Sequence, residues 1–277
     1  MRFVAFRSPL TQRVHVGALA EGRVTDLTVI GVPSMADALA RAAELSRVAS
    51  HLRRALGAVA HPVVDVTLEA PVHLTRPVRV YEFPEGEADR VQLSGYDAAP
   101  ETVLGPSAAL GAPGAGAALI AAPAVAAVLT RGGTAWSDAE GEAAIGGFVA
   151  CTRWARLQGD THAPEIVTVG LSFGPWILTP DEIEALRHDD GTYDLTLTAS
   201  RDGEDFAAAR WRDLPAGLGR LAALTARDRG VDAGDLIVAV LPRLPAPAAV
   251  SRTWVAAGDT VHIRAEQLGA LRHHVLS

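Results

Sequence analysis

The chain has 277 residues, 49% of them hydrophobic, and a formal net charge of −7. That length supports one large core with at most a small appended unit. The acidic balance leaves no electrostatic footprint for nucleic acid or for an anionic membrane surface. Two residue types are missing. All 25 basic residues are arginine, and there is no asparagine, a pattern that GC-rich coding explains because both absent residues use codons beginning AA. Without lysine the chain can form no Schiff base with a carbonyl substrate or pyridoxal phosphate, and it has no phosphate-loop lysine. The single cysteine, Cys151, excludes an intrachain disulfide and a cysteine-rich metal site, and it fits a reducing cytoplasm.

The start, MRFVAFRSPLTQRVHV, lacks the long apolar segment of a signal peptide. Strands are expected at Arg2–Phe6, Val14–Ala18 and Arg23–Leu27, with a turn at Glu21-Gly22. Ser34 is placed to cap a helix whose apolar residues Leu39, Ala42, Leu45, Val48, Leu52 and Leu56 recur at helical spacing up to Gly57. A strand at Val63–Leu68 closes a small N-terminal α/β unit, residues 1–68; residues 69–277 form the second domain.

The remainder reads mostly as strand: Val78–Phe83, Ala117–Ala121, Val125–Thr130, Trp176–Leu178, Tyr193–Ser200, Leu236–Leu241 and Thr260–Ala265. The run GAALIAAPAVAAVLTRGG at 116–133 is interrupted by Pro123, and it is read as two buried strands with a turn rather than as a membrane span. Ser137-Asp-Ala-Glu140 and Thr179-Pro-Asp-Glu182 carry the capping-box pattern. Leu214–Arg227 is a further helix, and Asp202-Gly203 is a two-residue hairpin turn. Ala-Gly-Asp occurs at 233–235 and 257–259, each time just before a strand. Many strands with few helices predict an α+β chain with a mixed-β domain around a pocket.

From about residue 65 onward, the order of motifs resembles the fumarylacetoacetate hydrolase family. The matching stretches are Leu68-Glu-Ala-Pro71-Val72, Pro77-Val-Arg-Val80, Gly147-Phe148-Val149, and Trp154-Ala155-Arg156-Leu157-Gln158. They continue through Ser172-Phe173-Gly174-Pro175-Trp176, the hairpin at Asp202-Gly203-Glu204, both Ala-Gly-Asp turns and Leu268-Gly269-Ala-Leu271. The resemblance implies a mixed β-roll, barrel-like C-terminal domain, a homodimer and action on a small-molecule substrate. Members usually use a divalent cation to cleave, decarboxylate, dehydrate or isomerise 2-oxo and β-dicarbonyl acids.

The resemblance also implies metal ligands: a Glu-x-Glu pair on one strand and an aspartate further on. Here Ala122 and Ala124 stand at the pair, and the aspartate falls on Arg153 or, with a different gap placement, on Cys151. No Asp or Glu lies between Glu101 and Asp138 or between Glu142 and Asp160. The expectation is therefore no metal and no cofactor. The pair Glu140 and Glu142 could supply relocated ligands, although capping already accounts for Glu140. Arg153 alone would turn a site with about one net negative charge into a positive one with a fork of donors for a carboxylate or enolate. In that reading Arg153 points into the pocket with Trp154 packed beside it; the alternative is a surface or interface salt bridge. His162, two residues after Asp160, is a candidate acid–base residue or a loop histidine, and Glu87 is the nearest substitute for the family's acid–base partner. Arg156, Gln158, Leu241, Ala122 and Ala124 complete the expected substrate-binding wall. Together these features suggest a metal-independent isomerase, cyclase (including cycloaddition) or lyase for a polyketide-like or β-dicarbonyl intermediate in bacterial specialised metabolism. The alternatives are a non-catalytic partner subunit and a metal-dependent acylpyruvate-type hydrolase.

Overall fold

A computed structural model describes residues 1–55, 57, 60–83, 95–99, 102–111, 119–158, 165–241 and 254–276. The N-terminal strands are β1 (Arg2–Arg7), β2 (Val14–Ala20), β3 (Arg23–Asp26), β4 (Ala60–Pro62) and β5 (Thr67–Glu69), with helices α1 (Met35–Ala40) and α2 (Ala42–Ala55) between β3 and β4. Next come β6 (Val78–Tyr81), β7 (Gly95–Ala98), β8 (Thr102–Leu104), β9 (Leu119–Leu129), helix α3 (Asp138–Ala143), β10 (Ile145–Gln158), β11 (Glu165–Phe173) and β12 (Ile177–Leu178). The rest comprises β13 (Thr196–Arg201), β14 (Glu204–Arg210), helix α4 (Leu218–Asp228), β15 (Leu236–Val240), β16 (Trp254–Val255), β17 (Thr260–Ala265) and β18 (Gly269–His274).

One 14-stranded sheet runs β4-β3-β2-β1-β12-β10-β9-β15-β6-β7, with β5 on β1, β11 on β10, β8 on β11 and β16 on β9. A four-stranded antiparallel sheet, β14-β13-β17-β18, packs over it. Through β1 the N-terminal strands join the same sheet, since Phe3 lies opposite Ile177 of β12. Their core is shared as well: Phe3, Leu27, Leu39 and Leu45 pack in one cluster with Val80, Ala126 and Leu171.

Residues 116–118 lie outside the described residues; over Leu119–Leu129 the apolar run is one continuous strand, β9, and not two strands with a turn. Its lack of alternation follows from burial on both faces. Ala121, Val125, Ala127 and Leu129 enter the core beneath the four-stranded sheet. Ala124, Ala126 and Val128 enter the core shared with the N-terminal strands. Pro123 is tolerated mid-sheet because, among the described residues, its ladder has a gap on one side. There β15 pairs as far as Val240 opposite Ala124, and β16 resumes only at Ile120. The Pro123 carbonyl accepts the Leu241 N–H at 3.0 Å, and no described strand awaits the N–H that proline lacks.

Other expectations shift in detail. The N-terminal helix is two helices, capped by the Ser34 side chain and broken at Arg41. Residues 63–65 form a 3₁₀ turn, leaving only Thr67–Glu69 as strand. The Thr179 side chain caps nothing, because its hydroxyl turns to the backbone of Met1, and Pro180–Glu182 is a 3₁₀ turn. The strand expected from Tyr193 begins at Thr196, and the helix expected from Leu214 begins at Leu218. The Ser137–Glu140 capping box is present with both reciprocal hydrogen bonds.

Candidate functional site

Strand register brings Ala122, Ala124, Cys151 and Arg153 together. Across β9 and β10, Arg153 lies opposite Ala122 and Cys151 opposite Ala124. On its other side Arg153 lies opposite Leu171 of β11. Cys151, Ala124 and Leu171 share one core cluster, which fixes this face as the one Arg153 occupies. The edge of the face comes from β6 and β7, where Val80, of the same cluster, lies opposite Tyr96. Glu82 follows Val80 by two residues, just past the end of β6.

These residues converge on one oxygen. Arg153 Nη1 is 2.7 Å from Glu82 Oε1; the arginine side chain is 4% exposed and the glutamate 33%. The Tyr96 hydroxyl donates to the same Oε1. With its proton committed there, the Tyr96 oxygen accepts from Arg153 Nη1 at 3.5 Å and from the Thr168 hydroxyl at 3.0 Å. Burial pushes the Tyr96 phenol up, and its bond to Glu82 adds to the shift. Burial likewise pushes the Cys151 thiol well up, against the opposing effect of Arg153, so this sulfur stays a neutral thiol. Arg153 Nε is buried without a hydrogen-bond partner among the described residues.

The expected wall is divided between two faces. Trp154 does not pack beside Arg153, because adjacent strand residues point to opposite sides. Its indole is fully buried, donates to Ser172 Oγ at 2.6 Å, and meets His273 edge-on with ring centroids 5.5 Å apart. Leu241 packs in that same core as Trp154. Arg156 follows Trp154 by two and is half-buried, while Gln158 ends β10 opposite Glu165. Ala122 and Ala124 are buried and lie on the Arg153 side. His162 and Glu87 lie outside the described residues. Sequence reasoning missed Glu82, Tyr96 and Thr168. The available signal was a carboxylate, Glu82, continuing the alternating stripe of Val78 and Val80.

The face does not fit the divalent cation that the family resemblance implies. Such an ion takes oxygen ligands, whereas the corresponding positions offer two methyl groups, a neutral thiol and a guanidinium. Glu82 is already bound to Arg153 and Tyr96. The alternative ligands are engaged too: Glu140 completes its capping box, and Glu142 accepts from Arg187 Nε at 3.3 Å. Among the described residues no group of three His, Cys, Asp or Glu side chains is placed to hold a metal ion. No helix among them is long and apolar enough to cross a membrane.

A family model described as "Fumarylacetoacetate (FAA) hydrolase C-terminal" matches residues 73–276. No curated protein sequence matches the chain. Among solved structures, maleylpyruvate hydrolase from Sphingobium sp. SYK-6 in complex with manganese(II) ion and pyruvate is similar, with a TM-score of 0.74 and 17% identity over 100% of this chain and 99% of that one. Fumarylacetoacetate hydrolase from psychrophilic Exiguobacterium antarcticum gives 0.74 and 16%, covering 100% of this chain and 99% of that one. The 2-hydroxyhepta-2,4-diene-1,7-dioate isomerase from Mycobacterium marinum gives 0.67 and 20%, covering 100% and 98%. At these identities the likeness is one of fold.

Proposed function

Because the chain belongs to the fumarylacetoacetate hydrolase family, we propose that it is a metal-independent enzyme of that fold in which Arg153 stands where the relatives' cation chemistry would lie. The observation that carries this reading is the cross-strand register, Ala122 against Arg153 and Ala124 against Cys151, on one buried face. A guanidinium held in a dry site can bind a carboxylate and stabilise an enolate without reorganising. That suits isomerisation, cyclisation (including cycloaddition) or elimination on a polyketide-like or β-dicarbonyl intermediate, reactions in which holding the substrate in a reactive conformation supplies much of the rate. A homodimer in the cytoplasm, with a place in bacterial specialised metabolism, belongs to the same proposal. The engagement of Glu140 and Glu142 counts against a metal-dependent hydrolase with relocated ligands.

Binding of acetopyruvate, a β-dicarbonyl acid, is the direct test. Calorimetry in excess chelator should show binding that manganese does not enhance and that Arg153→Met abolishes. Binding that requires manganese overturns the proposal, and no binding with or without the metal favours the non-catalytic partner subunit.

A further inference from the structure

We propose that Arg153 and Tyr96 form a carboxylate receptor whose resident occupant is Glu82, and that a small carboxylate substrate binds by exchanging with it. The inference rests on the reading of Arg153 as the anion-binding group. Its geometric basis is the convergence on Glu82 Oε1: Arg153 Nη1 lies 2.7 Å from it and the Tyr96 hydroxyl donates to it. A charge-assisted bond and a phenol bond to one oxygen are what a bound carboxylate would receive. Here the chain's own side chain receives them.

The three partners are held differently. Arg153 sits mid-strand on β10 between Ala122 and Leu171, and its side chain is 4% exposed. Tyr96 is fixed by β7 register opposite Val80 and by the Thr168 hydroxyl at 3.0 Å. Glu82 lies past the last residue of β6, outside the ladder, with its side chain 33% exposed. A rotamer change of Glu82 would carry it into water, whereas moving Arg153 would disturb three strands. Ala122 and Ala124, buried on the same face, offer the guanidinium no competing charge.

Net charge gives the reason for exchange. With Glu82 in place, the pair is neutral, and a second carboxylate would meet the first as a like charge. With Glu82 turned out, the one buried cation of this face among the described residues meets one incoming anion. The substrate class is therefore a small acid bearing a single carboxylate at the end that enters the site. A dicarboxylate would need a second cation for its other end.

Acetate, which has the chemistry of the Glu82 side-chain terminus, is the probe. At constant ionic strength against chloride, 100 mM acetate should raise the Tm of Glu82→Ala by several degrees, and that of the wild type far less. Adding Arg153→Met to Glu82→Ala should abolish the response. Glu82→Gln keeps the side-chain volume and supplies a second measurement: acetopyruvate should bind it about tenfold or more tightly than wild type, and Tyr96→Phe should weaken binding. An acetate response that survives loss of Arg153, or unchanged acetopyruvate affinity in Glu82→Gln, overturns the exchange. In that event, acetopyruvate binding that still depends on Arg153 and not on manganese would leave the parent reading standing.

Discussion

Removing the two members of the Arg153–Glu82 pair should have unequal consequences, with the larger penalty on the less buried partner. Loss of Glu82 leaves a guanidinium at 4% exposure whose remaining polar contact among the described residues is the long bond to Tyr96. Breaking a buried pair in that sense costs roughly 3–5 kcal/mol, and the neutral acceptor of Glu82→Gln lowers this to about 2–4 kcal/mol. Arg153→Met instead places an unbranched apolar chain of similar length against Ala122, Cys151 and Leu171. It leaves Glu82, a third exposed, hydrated and still bound to Tyr96. Exchanging a buried ion for a matching apolar side chain is often neutral or stabilising, so a change within about ±1 kcal/mol is expected. In the double variant most of the Glu82→Gln penalty should disappear, a coupling of roughly 2 kcal/mol. Urea unfolding at pH 7.5 measures all three, with about 2–4 °C of Tm per kcal/mol for a chain of this size. The methionine variant should be as stable as wild type yet lose acetopyruvate binding. If Arg153→Met proves more destabilising than Glu82→Gln, the arginine is a structural tie and the site reading fails.

Gly219→Ala should lower stability by several kcal/mol in the same urea assay, because its Cβ would fall 2.8 Å from Glu142 Cα where α3 crosses α4. A tolerated alanine would mean that the two helices sit further apart. His273 gives a pH signature: burial lowers its folded pKa below the ordinary 6.5, while its bond to the Ala108 carbonyl opposes the shift. The unfolded chain then binds the proton more readily, so this contribution is present above pH 6.5 and is lost as pH falls below it, by at most about 1.4 kcal/mol per pH unit. His273→Gln should flatten that part of the stability–pH curve. Finally, Ala122→Glu with Ala124→Glu should not confer manganese binding while Arg153 remains, since the new carboxylates would pair with it. Adding Arg153→Asp should create an oxygen site whose occupancy raises the Tm, and calorimetry showing equal manganese affinity in wild type would place a metal site elsewhere.

Local chemistry was legible in the sequence wherever one residue's conformation decides the matter. Asp202 and Gly203 both take positive φ, at 52° and 90°, as the two-residue hairpin requires. Gly234 and Gly258, the centres of the repeated Ala-Gly-Asp turns, take φ of 91° and 93°. Ser34 and Ser137 cap their helices. The order of motifs carried the fold, because the family resemblance adds non-local information that periodicity lacks. What remained hidden was pairing. Pro123 reads as a break unless it is known that its carbonyl accepts the Leu241 N–H. Trp154 reads as Arg153's neighbour because adjacency in sequence conceals opposition across a strand. Glu82, Tyr96 and Thr168 are separated by up to 86 positions and meet only through the register of β6 with β7 and the packing of β11 nearby.

On the proposed reading, the chemistry of β9 could change without the fold changing. A strand buried on both faces needs small or apolar side chains that fill its two cores, and alanine at 122 and 124 meets that need as it stands. Charge is the quantity that must be rebalanced. Three carboxylates around a divalent ion sum to one negative charge. Removing all four and adding Arg153 would leave one buried positive charge, which is costly unless paired. Glu82 supplies the pairing from a strand end that the metal-ligand positions do not include. Its presence therefore follows from the arginine. An arginine buried this deeply is expected to gain little stability over methionine, so the proposed exchange gives the pair a role that stability does not.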